Sequence, residues 1–209
     1  MDYILNSNAK TSVDHQPQPD RAAALGALGE ALVAGVLRDM GWPVLRNVVL
    51  RGRGRSTEID VIARAPAALV VFGVKTWSGS MHGTAEAAAW TRHSRGEVVE
   101  MPNAVTRNRT HVHAVERTIG DMLLVWGLVV SAGHARLAPA LHMHVVPTAN
   151  LVRVLSSIAE AAHSDPPAME RAWAILSREA ARSPGRQTAH INWVKALWHR
   201  DGRSRHSGA

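Results

Sequence analysis

Apolar residues recur at Leu25, Leu28, Leu32, Val36 and Met40, flanked by Val33 and Leu37, a spacing that predicts a helix from Ala22 to Met40 with Gly41 as its stop. The pattern then changes period. Val44 to Leu50, Thr57 to Ala63 and Leu69 to Val74 predict three strands, the last two joined by Ala65-Pro66-Ala67-Ala68, a loop short enough for a hairpin. Antiparallel pairing centred between Pro66 and Ala67 sets Asp60 opposite Gly73. Because alternate side chains share a face of a strand, Asp60, position 73 and Lys75 should point the same way. Thr76 to Gly83 predicts a bend, with short strands expected around Trp90 and Val98-Val99. A second helix is expected from about Ala104 to Leu124, with Val112, Val115, Ile119, Met122 and Trp126 on one stripe. Leu141 to Val146 alternates apolar residues with histidines as a strand does. Helices are expected over Leu151 to Ala162, Met169 to Arg182 and His190 to His199, with Ser183-Pro184-Gly185 breaking the last two apart.

These elements describe a polar tail over 1–20, an α/β core over 21–147, accessory helices over 148–200 and a basic tail over 201–209. With 209 residues and no cysteine, the core must be held by packing alone, without disulfides or zinc thiolates. The longest apolar run, Met122 to Val130, is too short to cross a bilayer, and the first residues lack the basic-then-apolar order of a secretory signal. A cytoplasmic location is expected. The formal charge of +7 comes overwhelmingly from arginine, with lysine only at Lys10, Lys75 and Lys195. A positive field favours polyanions such as DNA, and arginine forks match phosphate geometry. Lysine scarcity makes Lys75 conspicuous, because one of three lysines follows the hairpin.

Phosphodiester hydrolysis needs a cation to polarise the phosphate, a positioned water and positive charge for the developing oxyanion. Magnesium takes oxygen ligands, usually one or two carboxylates with waters and substrate phosphate. Asp60 is the candidate principal ligand and Glu30, at the margin of the first helix face, a supporting acid. Lys75 is the candidate for transition-state charge. Arg51, Arg53 and Arg55 form a basic turn suited to DNA phosphates. Trp77 and Trp90 suit either base stacking or packing beside a sheet. His142 and His144 share a strand face but lack a third metal ligand, and His111 and His113 fall on different sides of a helix.

The blocks Gly26-Ala27-Leu28-Gly29-Glu30, Asn47 to Leu50, Thr57 to Ile62 and Val70 to Gly79, followed by Gly83, resemble the nuclease-related domain (NERD) family of the restriction-endonuclease-like PD-(D/E)xK superfamily. The resemblance spans roughly Arg21 to Pro147. It implies an α/β/α core with a mixed sheet, here followed by C-terminal helices, and magnesium-dependent DNA cleavage. The implied active site takes Glu30, Asp60 and Lys75. Two of its positions differ: the acid before x-Lys is Gly73, and the Asn-Pro-x-x-Gln signature stands as Asn103-Ala104-Val105-Thr106-Arg107. Glycine supplies no ligand, and Arg107 competes with a cation for the acids that remain. Glu58, Glu86, Glu97 and Glu100 are the acids that could substitute. The expectation is a DNA-binding protein with hydrolysis weakened or lost, the alternative a non-catalytic DNA-binding or protein-interaction module in which the C-terminal helices meet a partner.

Overall fold

The computed structural model describes residues 19–51, 56–66, 68–120, 122–161 and 165–204, with side chains described within 21–187. Arg53, Arg55 and most of both expected tails therefore lie outside the described residues. The chain runs α1 (Pro19–Asp39), β1 (Val44–Arg51), β2 (Ser56–Arg64), β3 (Leu69–Lys75), β4 (Ser80–His82), β5 (Ala89–Ser94), β6 (Glu97–Pro102), α2 (Ala104–Ile119), β7 (Val125–Ser131), β8 (Arg136–Leu137), β9 (Val145–Pro147), α3 (Leu151–Ala161) and α4 (Pro166–Ser204). A five-stranded sheet has the order β1-β2-β3-β7-β9, and a smaller sheet the order β6-β5-β4-β8. The first three strands of the large sheet are antiparallel, whereas β7 and β9 run parallel to β3. This is the mixed α/β architecture expected of a nuclease-like core.

Helices cover both faces of the large sheet. One core joins Val33 and Leu37 of α1, and Leu151 and Leu155 of α3, to Val61, Val70 and Phe72. The other joins Val112 and Val115 of α2, and Met169 and Leu176 of α4, to Ile59, Ile62 and Val71. Each of the fully buried Leu, Ile and Phe side chains contributes about 1.5–3 kcal/mol relative to exposure, so these two layers hold the sheet.

Four local expectations need correction. In α1, Leu25, Leu28 and Leu32 are exposed, and Val33, Ala34 and Leu37 are buried. Gly29 explains the rotation: a Cβ there would lie 2.6 Å from Thr76 Cγ2 and 3.2 Å from Ala132 Cβ, so the helix approaches the sheet along the glycine side. The second helix ends at Gly120, whose φ of 72° is left-handed and whose N–H bonds the Glu116 carbonyl. Trp126 consequently belongs to β7, a strand hidden in an apolar run that also fits helical spacing. Residues 141–144 form the end of a 3₁₀ turn and a further turn, so His142 and His144 do not line a strand; His142 Nε2 lies 3.0 Å from the Leu137 carbonyl. Finally, α4 continues through Ser183-Pro184-Gly185. Ser183 Oγ accepts from Val49 N–H at 2.8 Å and donates to Glu179 O at 3.0 Å, while Arg186 Nη1 donates to Val49 O at 3.1 Å. Those bonds clamp both sides of the proline onto the β1 edge and offset the amide it lacks.

Candidate active site

The β2–β3 register is Val61↔Phe72, Ile62↔Val71, Ala63↔Val70 and Arg64↔Leu69, which extrapolates to Asp60 opposite Gly73. Beyond that point the strands part. The Val74 N–H donates to Asp60 Oδ2 at 2.9 Å, and Lys75 Nζ lies 3.4 Å from the same oxygen while donating to Val74 O at 2.9 Å. On the β1 side, Asn47 stands where Asp60 would pair and adopts φ 51°, in the left-handed region. The pleat is interrupted here, since Val61 enters one core and Ile59 the other. Two strict alternations cannot both hold across Asp60, so its carboxylate leaves the packed layers, with 20% of the side chain exposed against 27% for Lys75. The same interruption means that parity does not decide whether Glu58 shares the Asp60 face.

Gly29 brings the next residue, Glu30, to this end of the sheet. Burial, followed by the Asp60 charge, raises the Glu30 carboxyl above the ordinary range; Arg46 opposes them, Glu58 raises it further and Lys75 lowers it. Arg46 Nη2 is 3.7 Å from Glu30 Oε2. Glu30 thus feels the charges of Asp60 and Lys75. Glu58 also lies near Gln187 of α4, at 3.5 Å. Glu97 and Glu100 belong to β6 of the small sheet, and Glu86 to the loop before β5.

The vacancy opposite Asp60 is filled from α2. A Cβ built on Gly73 would stand 3.1 Å from Asn108 Oδ1 and 3.3 Å from Asn108 Cγ, and one on Gly127 of β7 would stand 3.2 Å from Asn108 Nδ2. Asn108 therefore lies across two glycines, its Nδ2 donating to Val71 O at 3.3 Å. It is buried, and its Oδ1 has no hydrogen-bond partner. One turn along, His111 is buried with its Nδ1 likewise unpartnered. Burial pulls the His111 pKa down to about 4; Asp60 acts to raise it, and Arg107 and Lys75 to lower it. Arg107 itself is exposed, as is Arg51 at the end of β1. Sequence reasoning missed Asn108 and weighed His111 only as a poor metal partner of His113. The available signal was their three-residue spacing on the α2 face that also carries Val112 and Val115.

α2 is aimed by Asn103. Its Oδ1 caps the helix by accepting from Val105 N–H at 2.9 Å and Thr106 N–H at 3.2 Å, and its Nδ2 donates to Ala85 O at 2.9 Å and Ala87 O at 2.7 Å. Trp77 and Trp90 pack edge to face at 5.8 Å, and Trp90 Nε1 donates to Thr84 O at 2.7 Å. Both rings are buried, so they build the small sheet's core and offer no face to a base.

Magnesium fits this donor set poorly. The Asp60 oxygen in use already holds a backbone amide and an ammonium, Glu30 faces Arg46, and position 73 contributes nothing. Among the described residues, no three histidine or acidic side chains are grouped to hold a metal ion.

Residues 25–132 match the sequence profile of the nuclease-related domain. The chain belongs to that family. A relative, the uncharacterized protein pXO1-01/BXA0003/GBAA_pXO1_0003 of Bacillus anthracis, is 31% identical over 102 residues, covering 47% of this chain and 48% of the relative. The NERD chain here thus aligns with about half the length of that protein. No solved structure gives a significant match. Among the described residues, no helix is long and apolar enough to cross a membrane.

Proposed function

We propose that this NERD protein binds DNA at the Asp60–Lys75 end of its sheet and that phosphodiester hydrolysis there is weakened or lost. One observation carries the reading: the β2–β3 register extrapolates to Gly73 opposite Asp60, and Asn108 lies 3.1 Å from where a side chain at Gly73 would begin. What is left of a nuclease site is a carboxylate neutralised by Lys75 and a second one faced by Arg46. Such a site keeps its attraction for phosphate through Lys75, Arg46 and the exposed Arg107 while losing the paired carboxylates that concentrate a hard cation. Arg51, at the rim of β1, extends the basic surface.

The test is fluorescence-anisotropy binding of duplex DNA across a salt series, alongside a plasmid-nicking assay with magnesium. Binding should weaken steeply with salt, because each phosphate contact releases counterions. Lys75→Ala and Arg107→Ala should lower both affinity and slope, with little nicking from any form. Affinity that ignores salt rejects DNA as the ligand. Rapid magnesium-dependent nicking abolished by Asp60→Ala rejects the loss of hydrolysis.

A further inference from the structure

The apolar stripe that predicts α1 from the sequence lies on a face of that helix which the fold leaves uncovered. Leu25, Leu28 and Leu32 are 46%, 66% and 48% exposed, whereas Val33 and Leu37, on the opposite side of the helix, pack on the sheet. Arg21, Leu25, Leu28, Leu32, Gly35 and Asp39 follow one another in alternating steps of four and three residues, the repeat that lets two helices run side by side. A Cβ added to Gly35 would meet nothing within 4 Å, so the stripe carries a notch there. Its two ends are charged and exposed, and among the described residues neither Arg21 nor Asp39 has an ion-pair partner. Beside the leucines lies an open groove of about 260 Å³, walled on its far side by Thr76, Trp77 and Ser78, so no neighbouring element covers them.

We propose that two copies of this chain pair through this stripe, α1 antiparallel to α1, about a two-fold axis at the level of Glu30. In that register each residue faces the one lying as far beyond Glu30 as it lies before it. Leu28 meets the partner's Leu32, and Leu32 the partner's Leu28, so the two central layers are leucine on leucine. Leu25 meets the partner's Gly35, whose notch leaves it room, and Arg21 meets the partner's Asp39. The same contacts recur at the other end, because a two-fold interface uses one patch twice. Exposed Ala24 and Ala31 flank the stripe and let the two backbones approach. A helix of some other protein could cover three leucines, but pairing α1 with itself matches size and charge in a single register. The parallel arrangement sets Arg21 against Arg21 and Asp39 against Asp39, and charge disfavours it. This pairing does not depend on the chain binding DNA.

The test is sedimentation equilibrium of the full chain, free of DNA, across a concentration series. A reversible monomer–dimer equilibrium is expected. Leu28→Glu puts a carboxylate into both central layers and should weaken dimerisation by at least about a hundredfold. Its far-UV circular dichroism should match that of the wild type, because Leu28 belongs to neither core of the large sheet. Arg21→Asp and Asp39→Arg each oppose like charges at both ends of the pair, and each should weaken the dimer by roughly tenfold at low salt and less at high salt. Combining the two exchanges restores opposite charges and should return the affinity to the wild-type range, a rescue that another occupant of the stripe would not give. Leu124→Glu, at a leucine 73% exposed elsewhere on the surface, should leave the equilibrium unchanged. A chain that is monomeric at every concentration, a dimer indifferent to Leu28→Glu, or a double exchange that dissociates as readily as its single parents would each overturn the proposal.

Discussion

Lowering the pH from 7 to 5 should destabilise this protein largely through one ring, His111. In the unfolded chain an imidazole takes up its proton near 6.5, whereas burial beside Arg107 and Lys75 holds the folded His111 to about 4. Between those values the unfolded state binds the extra proton, so stability is complete above pH 6.5 and falls as the pH drops toward 4. Integrating that difference from pH 7 to pH 5 gives a loss of about 2 kcal/mol, a large share of the 5–15 kcal/mol typical of a domain. The informative quantity is a difference between variants. Urea unfolding monitored by tryptophan fluorescence at pH 7 and pH 5 should be run on the wild type and on His111→Leu, which keeps an apolar group of similar size in the buried site. The wild type should lose about 2 kcal/mol more than the variant over this range. Parallel losses in the two proteins would refute the reasoning, because His111 would then have the same proton affinity folded and unfolded.

The packing of Asn108 over Gly73 makes a second prediction. Gly73→Glu should destabilise the protein by about 1–3 kcal/mol through overpacking, and Asn108→Ala in the same chain should relieve it. Only the double variant, with a carboxylate facing Asp60, should gain magnesium-dependent plasmid nicking. A Gly73→Glu single variant as stable as the wild type would show that the amide yields freely. The α4 clamp supplies a third: Ser183→Ala removes the acceptor of the buried Val49 N–H and should cost about 1–3 kcal/mol in urea unfolding. An unchanged midpoint would mean that this amide finds another partner.

What the sequence could reveal divides along the range of the forces involved. The β2–β3 register follows from local terms, a short proline-bearing loop and two apolar runs of matched length, and it is realised over Val61↔Phe72 to Arg64↔Leu69. The convergence of Asp60 and Lys75 follows from that register. Orientation of α1 does not, because its leucines carry a stronger helical signal than the face that packs; a Cβ at Gly29 would lie 2.6 Å from Thr76 Cγ2, so the close approach of this face needs glycine there. Continuity of α4 depends on Val49, whose partners Ser183 and Arg186 are more than 130 positions away in sequence. No propensity at Ser183-Pro184-Gly185 reports a bond to a strand so distant. Asn108 escaped for a related reason. Read alone it is a polar residue in a helix, and it becomes a site residue only when two glycines on different strands, Gly73 and Gly127, are seen to lie beneath it. The glycine that reads in sequence as a missing acid is, in three dimensions, the floor under another side chain, so chemistry at this site has to be argued from α2 as much as from β3.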